Sequence, residues 1–292
     1  VSEGRVLRAY NSFYYVDCAG KTYTCKVKGR MKKERFSLCC GDEVAFDAEG
    51  EEGMITSVLP RRNFMQRPSV ANLDFLILTM AVVEPAFSPL ILDKLLVMAG
   101  SSHMPVVLVL NKIDLAPAET AQKLIATYRA AGYTVFPVSA KTGLGIDELR
   151  TFLKGKVSAF GGPSGVGKSS LMNALCPELQ QQTGALSTKI SRGRHTTRFA
   201  TLLPFNGGYL ADTPGFGNVF LEDLGPEELD LYFPEFKQFT AGCHYHPCSH
   251  IHEKVCGVKA AVAEGSLASS RYESYVTIRQ ELEEAKERTY RK

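Results

Sequence analysis

Residues 157–170 read Val-Ser-Ala-Phe-Gly-Gly-Pro-Ser-Gly-Val-Gly-Lys-Ser-Ser. A short apolar run, a glycine-rich loop and a helix start follow without a break, and Gly162 to Ser169 fit the pattern GxxxxGKS. Glycine lets the backbone close around a phosphate group, so that successive N–H groups and the positive end of the new helix point at its oxygens. The cradle comprises Gly162, Pro163, Ser164, Gly165, Val166, Gly167, Lys168, Ser169 and Ser170. Lys168 then reaches the β- and γ-phosphates, and Ser169 is placed to ligate Mg²⁺. A chain built around this stretch needs a buried strand before the loop and a sheet to hold it.

A length of 292 residues implies about two domains, or three if some are small. Apolar content of 45% and charged content of 22% suit a globular chain with packed cores. No apolar run approaches the roughly 20 residues that span a bilayer, and the residues after Val1 show no signal-peptide pattern. The expectation is a cytosolic protein without a membrane partner, and nothing demands more than a monomer. A net charge of +3 is too mild to prove a nucleic-acid partner, so the distribution of charge must carry that question.

Residues 5–10, 13–16, 22–27, 43–46 and 53–58 are short, often alternating strand candidates punctuated by Gly20, Gly29, Gly41 and Gly50. Five such strands predict an N-terminal OB-fold β-barrel. The run containing Lys26, Lys28, Arg30, Lys32, Lys33 and Arg35, beside Tyr10, Tyr14 and Tyr15, fits RNA binding through backbone-tracking charge and aromatic stacking. Residues 60–68 read as a linker.

From there the pattern changes to strands at 73–83, 106–110 and 134–138, alternating with helices at 89–99, 118–131 and 146–154. That alternation predicts a mostly parallel, doubly wound α/β sheet with ligand groups just after the strands. Asn111-Lys112-Ile113-Asp114 follows one strand and Ser139-Ala140-Lys141 another. A carboxylate at Asp114 accepts from the N1–H and 2-amino group of guanine, which adenine does not offer. Asn111 braces the loops, the Lys112 stem covers the base, and the Ala140 N–H meets guanine O6. After the phosphate loop, residues 180–198 show little apolar periodicity and end in Gly193-Arg194-His195-Thr196-Thr197-Arg198, suited to ordering around a γ-phosphate. Thr197, or else Thr196, completes the Mg²⁺ shell. Strands at 199–204 and 209–211 lead to Asp212-Thr213-Pro214-Gly215, where Asp212 holds Mg²⁺ through water and the Gly215 N–H senses the γ-phosphate.

In a Ras-like GTPase the phosphate loop comes first, then the threonine loop, DxxG, NKxD and SAK. Here the order is NKID, SAK, phosphate loop, threonine loop, DTPG, a circular permutation. With the barrel in front, and with GGPSGVGKSSLMNAL, GRHTTR, ADTPGF, NKIDL and a downstream cysteine pattern, the chain resembles the small-subunit-dependent GTPase family RsgA (YjeQ, YloQ). The resemblance implies a GTPase that hydrolyses GTP to GDP, binds the small (30S) ribosomal subunit and its rRNA, and acts in late assembly with subunit-stimulated turnover. The residues alone leave open a permuted GTPase of large-subunit biogenesis, or a nucleotide-regulated RNA-binding module with incidental hydrolysis.

Phe216 after DTPG cannot orient water as a glutamine does; His195, an imidazole on the threonine loop, is the best candidate to position it, and the resemblance supports the same position. Cys243-x₄-Cys248-x-His250-x₅-Cys256 offers three thiolates and an imidazole for one structural Zn²⁺. His244, His246 and His252 compete locally, and the resemblance selects His250. Cys18, Cys25, Cys39, Cys40 and Cys176 are expected to pack as small hydrophobes. The tail from Leu267 to Lys292 reads as a charged helix with a solvated face. The domain expectation is a barrel over 1–66, a circularly permuted P-loop GTPase domain over 67–220, and a mostly helical zinc-binding domain over 221–292.

Overall fold

Alternation in the first sixty residues does produce a closed barrel. The structure, a computed structural model, describes residues 1–10, 12–29, 37–66, 68–177, 200–212, 221 and 224–290. Strands β1 (Ser2–Tyr10), β2 (Phe13–Cys18), β3 (Lys21–Val27), β4 (Glu43–Glu49) and β5 (Glu52–Val58) close in the order β1-β2-β3-β5-β4. Only the β3–β5 pair is parallel. Inward-facing Val6, Val16, Cys25, Val44, Phe46 and Ile55 fill the barrel. Burial pushes the Cys25 thiol up to about 11 and those of Cys39 and Cys40 to about 12, as expected of cysteines that pack rather than react.

The aromatic surface of the barrel differs from the sequence reading in one residue. Tyr14 packs against the barrel core, whereas its neighbours point outward: Tyr10 is 62% exposed, Phe13 faces Lys26 at 5.2 Å, and Arg8 covers Tyr15 at 3.9 Å. The period of a strand requires this, because Phe13 and Tyr15 share the face opposite to Tyr14.

Residues 60–68 are not a free linker. Strands β6 (Phe64–Gln66) and β7 (Ser69–Ala71) form a short antiparallel hairpin. Arg61 forks onto the fully buried Asp42 of the barrel, with Nε–Oδ1 at 2.6 Å and Nη2–Oδ2 at 2.8 Å. The Tyr209 hydroxyl adds a second tie between barrel and sheet by donating to Asp17 at 2.6 Å. A linker signal of Pro and Arg cannot reveal such pairing, which depends on where the barrel lands.

Among the described residues the second sheet has six strands: β8 (Phe75–Ala81), β9 (Val106–Asn111), β10 (Thr134–Pro137), β11 (Val157–Gly161), β12 (Thr201–Phe205) and β13 (Gly208–Asp212). Their order is β10-β9-β8-β11-β13-β12, parallel throughout except for the edge strand β12. Along β8 the side chains alternate: Leu76, Leu78 and Met80 face the core beneath helices α1 (Pro89–Ser101) and α2 (Ala118–Ala130), while Ile77 faces the core beneath α3 (Ile146–Phe152) and α4 (Lys168–Leu175). The chain steps outward from β8 to β10 and then returns to the other side of β8 as β11. The loops after β8 and β11 therefore diverge, which opens a crevice at a topological switch point.

Two 3₁₀ segments (Pro226–Tyr232 and Pro234–Gly242), α5 (Gly257–Ala263) and α6 (Ser269–Tyr290) build the C-terminal module. Its core of Phe233, Phe236, Val258, Tyr275 and Ile278 includes Val97 of α1. Helix α1 is thus covered by the sheet on one side and by the module on the other, which explains its almost unbroken apolar sequence. The expected solvated tail is corrected here: α6 buries Arg271, Ser274, Tyr275, Ile278 and Leu282. Its outer charges also reach other elements, with Lys94 to Glu281 at 2.6 Å and Lys286 to Glu227 at 3.0 Å. Among the described residues, no helix is long and apolar enough to cross a membrane.

Candidate active site and metal centre

The phosphate loop leaves β11 at Gly161 and enters α4 at Lys168. Gly162 has φ +126°, and a Cβ there would lie 2.1 Å from the Thr79 carbonyl oxygen; only glycine lets β8 and the loop come this close. Gly167 caps α4 with φ +95°, where a Cβ would strike the Asn111 side chain at 2.4 Å. The Lys168 ammonium folds back over the loop and donates to the carbonyls of Gly162 (2.8 Å) and Pro163 (2.6 Å). Burial lowers its pKa, so an anion at the loop meets a poorly hydrated cation.

Asn111 joins the three motifs. Its Nδ2 donates to the Val166 carbonyl of the phosphate loop at 2.9 Å, and its Oδ1 accepts from the Ala140 N–H at 3.1 Å. Lys112 sits in the left-handed region at φ +61° and donates its ammonium to the carbonyls of Gly165, at 2.9 Å, and of Glu84. Ser139 is buried and accepts from the Thr142 N–H at 3.1 Å, which shapes the turn. Asn111, Lys112, Asp114, Leu115, Ser139, Ala140, Lys141, Gly167 and Ser170 line one pocket of about 170 Å³. The residues expected to read the base therefore stand together beside the phosphate loop. One detail differs from the sequence reading: the Ala140 N–H, assigned there to guanine O6, is here engaged by Asn111.

His195, Thr196, Thr197, Gly215, Arg30, Lys32, Lys33 and Arg35 lie outside the described residues. The backbone of Asp212 ends β13, the neighbour of β11, which brings it to the same edge of the sheet as the phosphate loop.

In the C-terminal module, one ligand atom from each of Cys243, Cys248, His250 and Cys256 lies within 4.8 Å of every other. The Cys243 and Cys256 sulfurs are 3.9 Å apart, and His250 Nδ1 is 3.3 Å from Cys256 and 3.7 Å from Cys243. A tetrahedral zinc site with Zn–S of about 2.3 Å has edges near 3.8 Å, and a disulfide needs sulfurs about 2 Å apart, so the spacing suits a metal and excludes a bridge. The cluster could hold a zinc ion. His250 is 2% exposed with φ +60°, and Tyr272 holds its carbonyl at 2.8 Å; His244, His246 and His252 are exposed. Around the loop, burial opposes ionisation of Glu253, but the N–H groups of Ser249 and Ile251 and the Ser249 hydroxyl outweigh it and hold its carboxyl at about 2.

Residues 58–222 match the model of the RsgA GTPase family, and residues 3–55 that of the RsgA N-terminal domain. The chain belongs to the RsgA GTPase family. A relative from Geobacillus sp. strain WCH70, named small ribosomal subunit biogenesis GTPase RsgA, is 43% identical over 99% of this chain and 100% of its own length. A relative of the same name from Carboxydothermus hydrogenoformans is 43% identical over 96% and 97%. The crystal structure of YjeQ from Thermotoga maritima superposes with a TM-score of 0.82 at 38% identity, covering 96% of this chain and 98% of that one. YloQ, described as a circularly permuted GTPase, gives 0.82 at 31% identity over 97% and 95%. This RsgA-family chain is accordingly a circularly permuted GTPase, with a barrel in front and a Cys₃His cluster behind.

Two participants escaped the sequence reading. Leu115 forms part of the pocket wall, and the Glu84 carbonyl receives Lys112. Glu84 follows β8 at the switch point, a position that strand order would have exposed.

Proposed function

We propose that this GTPase binds the small ribosomal subunit, acts in its late maturation, and is released when subunit-stimulated hydrolysis converts GTP to GDP. The observation that carries the nucleotide part is the Asn111 joint, which ties the base loops to the phosphate loop in one pocket. The subunit enters through the name shared by relatives that span the chain. Measuring GTP turnover with isolated small subunits, with large subunits and with neither tests the reading. Stimulation by large subunits alone, or by neither, refutes it.

Asp114 accepts from guanine N1–H and the 2-amino group, while Ser139, Ala140 and Lys141 form the wall beside O6. Asn111 and Lys112 brace the pocket. Gly162 to Ser170 and Gly215 surround the phosphates. Ser169, Asp212 through water, and Thr197 or Thr196 would hold Mg²⁺, which neutralises charge between the β- and γ-phosphates. His195 positions the attacking water. Replacing His195 with alanine is expected to leave nucleotide affinity nearly intact and to lower subunit-stimulated turnover by at least about a hundredfold. Wild-type stimulated rates in that variant would remove the assignment.

Cys243, Cys248, His250 and Cys256 hold one structural Zn²⁺, with no open coordination position for catalysis. Lys26 and Lys28, with Arg30, Lys32, Lys33 and Arg35, track ribosomal RNA phosphates. Neutralising these six is expected to weaken subunit binding and to reduce the log–log salt slope by about five. An unchanged slope in a binding titration across salt concentrations makes the run an ordinary surface loop. The barrel over 1–66, the GTPase domain over 67–220 and the zinc module over 221–292 act as one cytoplasmic monomer.

A further inference from the structure

Arg271 is 1% exposed in α6, and its guanidinium joins two elements remote in sequence. Nη1 meets Asp93 of α1 at 2.5 Å, while Nε and Nη2 fork onto Glu235 at 2.6 and 3.1 Å. The Tyr128 hydroxyl of α2 donates to the same Asp93 oxygen at 3.0 Å, and the Tyr128 ring meets Phe87 edge-on with centroids 6.1 Å apart. Phe87 belongs to the segment that leaves β8, three residues after Glu84. The Glu84 carbonyl accepts from Lys112, and the same ammonium holds the phosphate loop at Gly165. Packed and hydrogen-bonded neighbours thus run from the C-terminal module to Phe87, and the chain itself links Phe87 back to Glu84 and forward to α1.

We propose that Arg271 is a positioning residue for the nucleotide site: by pinning α1 through Asp93 and Tyr128, it sets Glu84 so that Lys112 clamps the phosphate loop. The inference rests on the proposed guanine-nucleotide pocket and concerns its control by the C-terminal module. Stability alone is a poor reason for this cluster, because taking a guanidinium and two carboxyl groups out of water is costly, and apolar side chains often replace buried ion groups without loss. The planar fork on Glu235 gives the guanidinium one orientation and so aims Nη1 at Asp93, whereas alkyl contacts tolerate sliding; the cluster thereby fixes the register of α6 against α1.

The test uses the full, metal-loaded chain and subunit-free GTP turnover across GTP concentrations. The variants are Arg271→Lys, Asp93→Asn, Lys112→Met and the Arg271→Lys/Lys112→Met pair. With slow chemistry KM reads binding. Arg271→Lys keeps the charge but loses the fork, and is expected to raise KM about five- to tenfold with kcat within about twofold. Asp93→Asn, which keeps an acceptor for Arg271 and Tyr128, is expected to raise KM about two- to threefold. Lys112→Met raises KM, and adding Arg271→Lys raises it no further. A merely structural Arg271 lowers the active fraction, so that kcat falls at constant KM; that result, or additivity in the pair, overturns the proposal. If Arg271→Lys does not fold, the KM-against-kcat split of Asp93→Asn decides. Absence of turnover in the wild-type chain both with and without small subunits refutes the proposed function and the inference with it, whereas a normal wild-type curve with unchanged KM in the variants refutes the inference alone.

Discussion

Exchanging Asp114 for asparagine is expected to convert the pocket from guanine to xanthine. Asp114 lines the pocket together with Lys112, Leu115, Ser139 and Ala140. Its carboxylate is proposed to accept two hydrogen bonds from the base, each worth about 1.5–3 kcal/mol when a charged acceptor is involved. An asparagine amide turns one of its acceptors into a donor that faces the guanine 2-amino group, so GTP affinity should fall by about 10²–10⁴. Xanthine carries a carbonyl at that position and accepts from the new amide, so XTP should become the preferred triphosphate. Competition of GTP, XTP and ATP against a fluorescent guanine nucleotide measures both changes. Retention of the wild-type order would remove Asp114 from base recognition.

Loss of a cluster thiol is expected to collapse the C-terminal module. Cys243 and Cys256 lie in the same core as Phe236, Val258 and Tyr275, and the loop between them is irregular apart from its ligand geometry. Structural zinc contributes about 10–16 kcal/mol of apparent binding free energy in small modules, far more than this compact core can supply in its place. Cys256→Ala, or wild-type protein stripped with a strong chelator, should lose stoichiometric zinc by elemental analysis. Residues 234–263 should also lose amide-exchange protection, whereas β8, β9 and β11 keep theirs. Full protection of this stretch in zinc-free protein would show that the side-chain core alone holds it.

The elements were legible wherever neighbouring residues decide them. Alternation revealed all five barrel strands, and the central α/β pattern appeared with its boundaries a few residues off, as at β8. The paired β6–β7 hairpin was hidden because its three-residue strands are too short to show a period and because Arg61 finds its partner in the barrel. Tyr14 was assigned to the wrong face, although the strand period puts it opposite Phe13 and Tyr15. The motifs Asn111 to Asp114, Ser139 to Lys141 and Gly162 to Ser169 could be read because each is a compact loop at a strand end. Glu84 was missed because only its carbonyl takes part and every residue has one, although its place just after β8 pointed to the switch point.

The sequence by itself determined the GxxxxGKS loop, the NKID and SAK loops, the permuted order and the three-cysteine spacing, because turn chemistry and strand periodicity act over a few adjacent residues. The tertiary structure alone decided that Asn111 fastens both loops and that Lys112 reaches Glu84. It also decided that His250 turns inward while three neighbouring histidines face solvent. Arg271 marks the boundary most sharply: its partner Asp93 is 178 residues away, and its charge belongs to the core only because α6 packs on α1, which brings Asp93, and beside the segment Pro234–Gly242, which brings Glu235. Contacts of that separation follow from how finished elements pack, which no local pattern records.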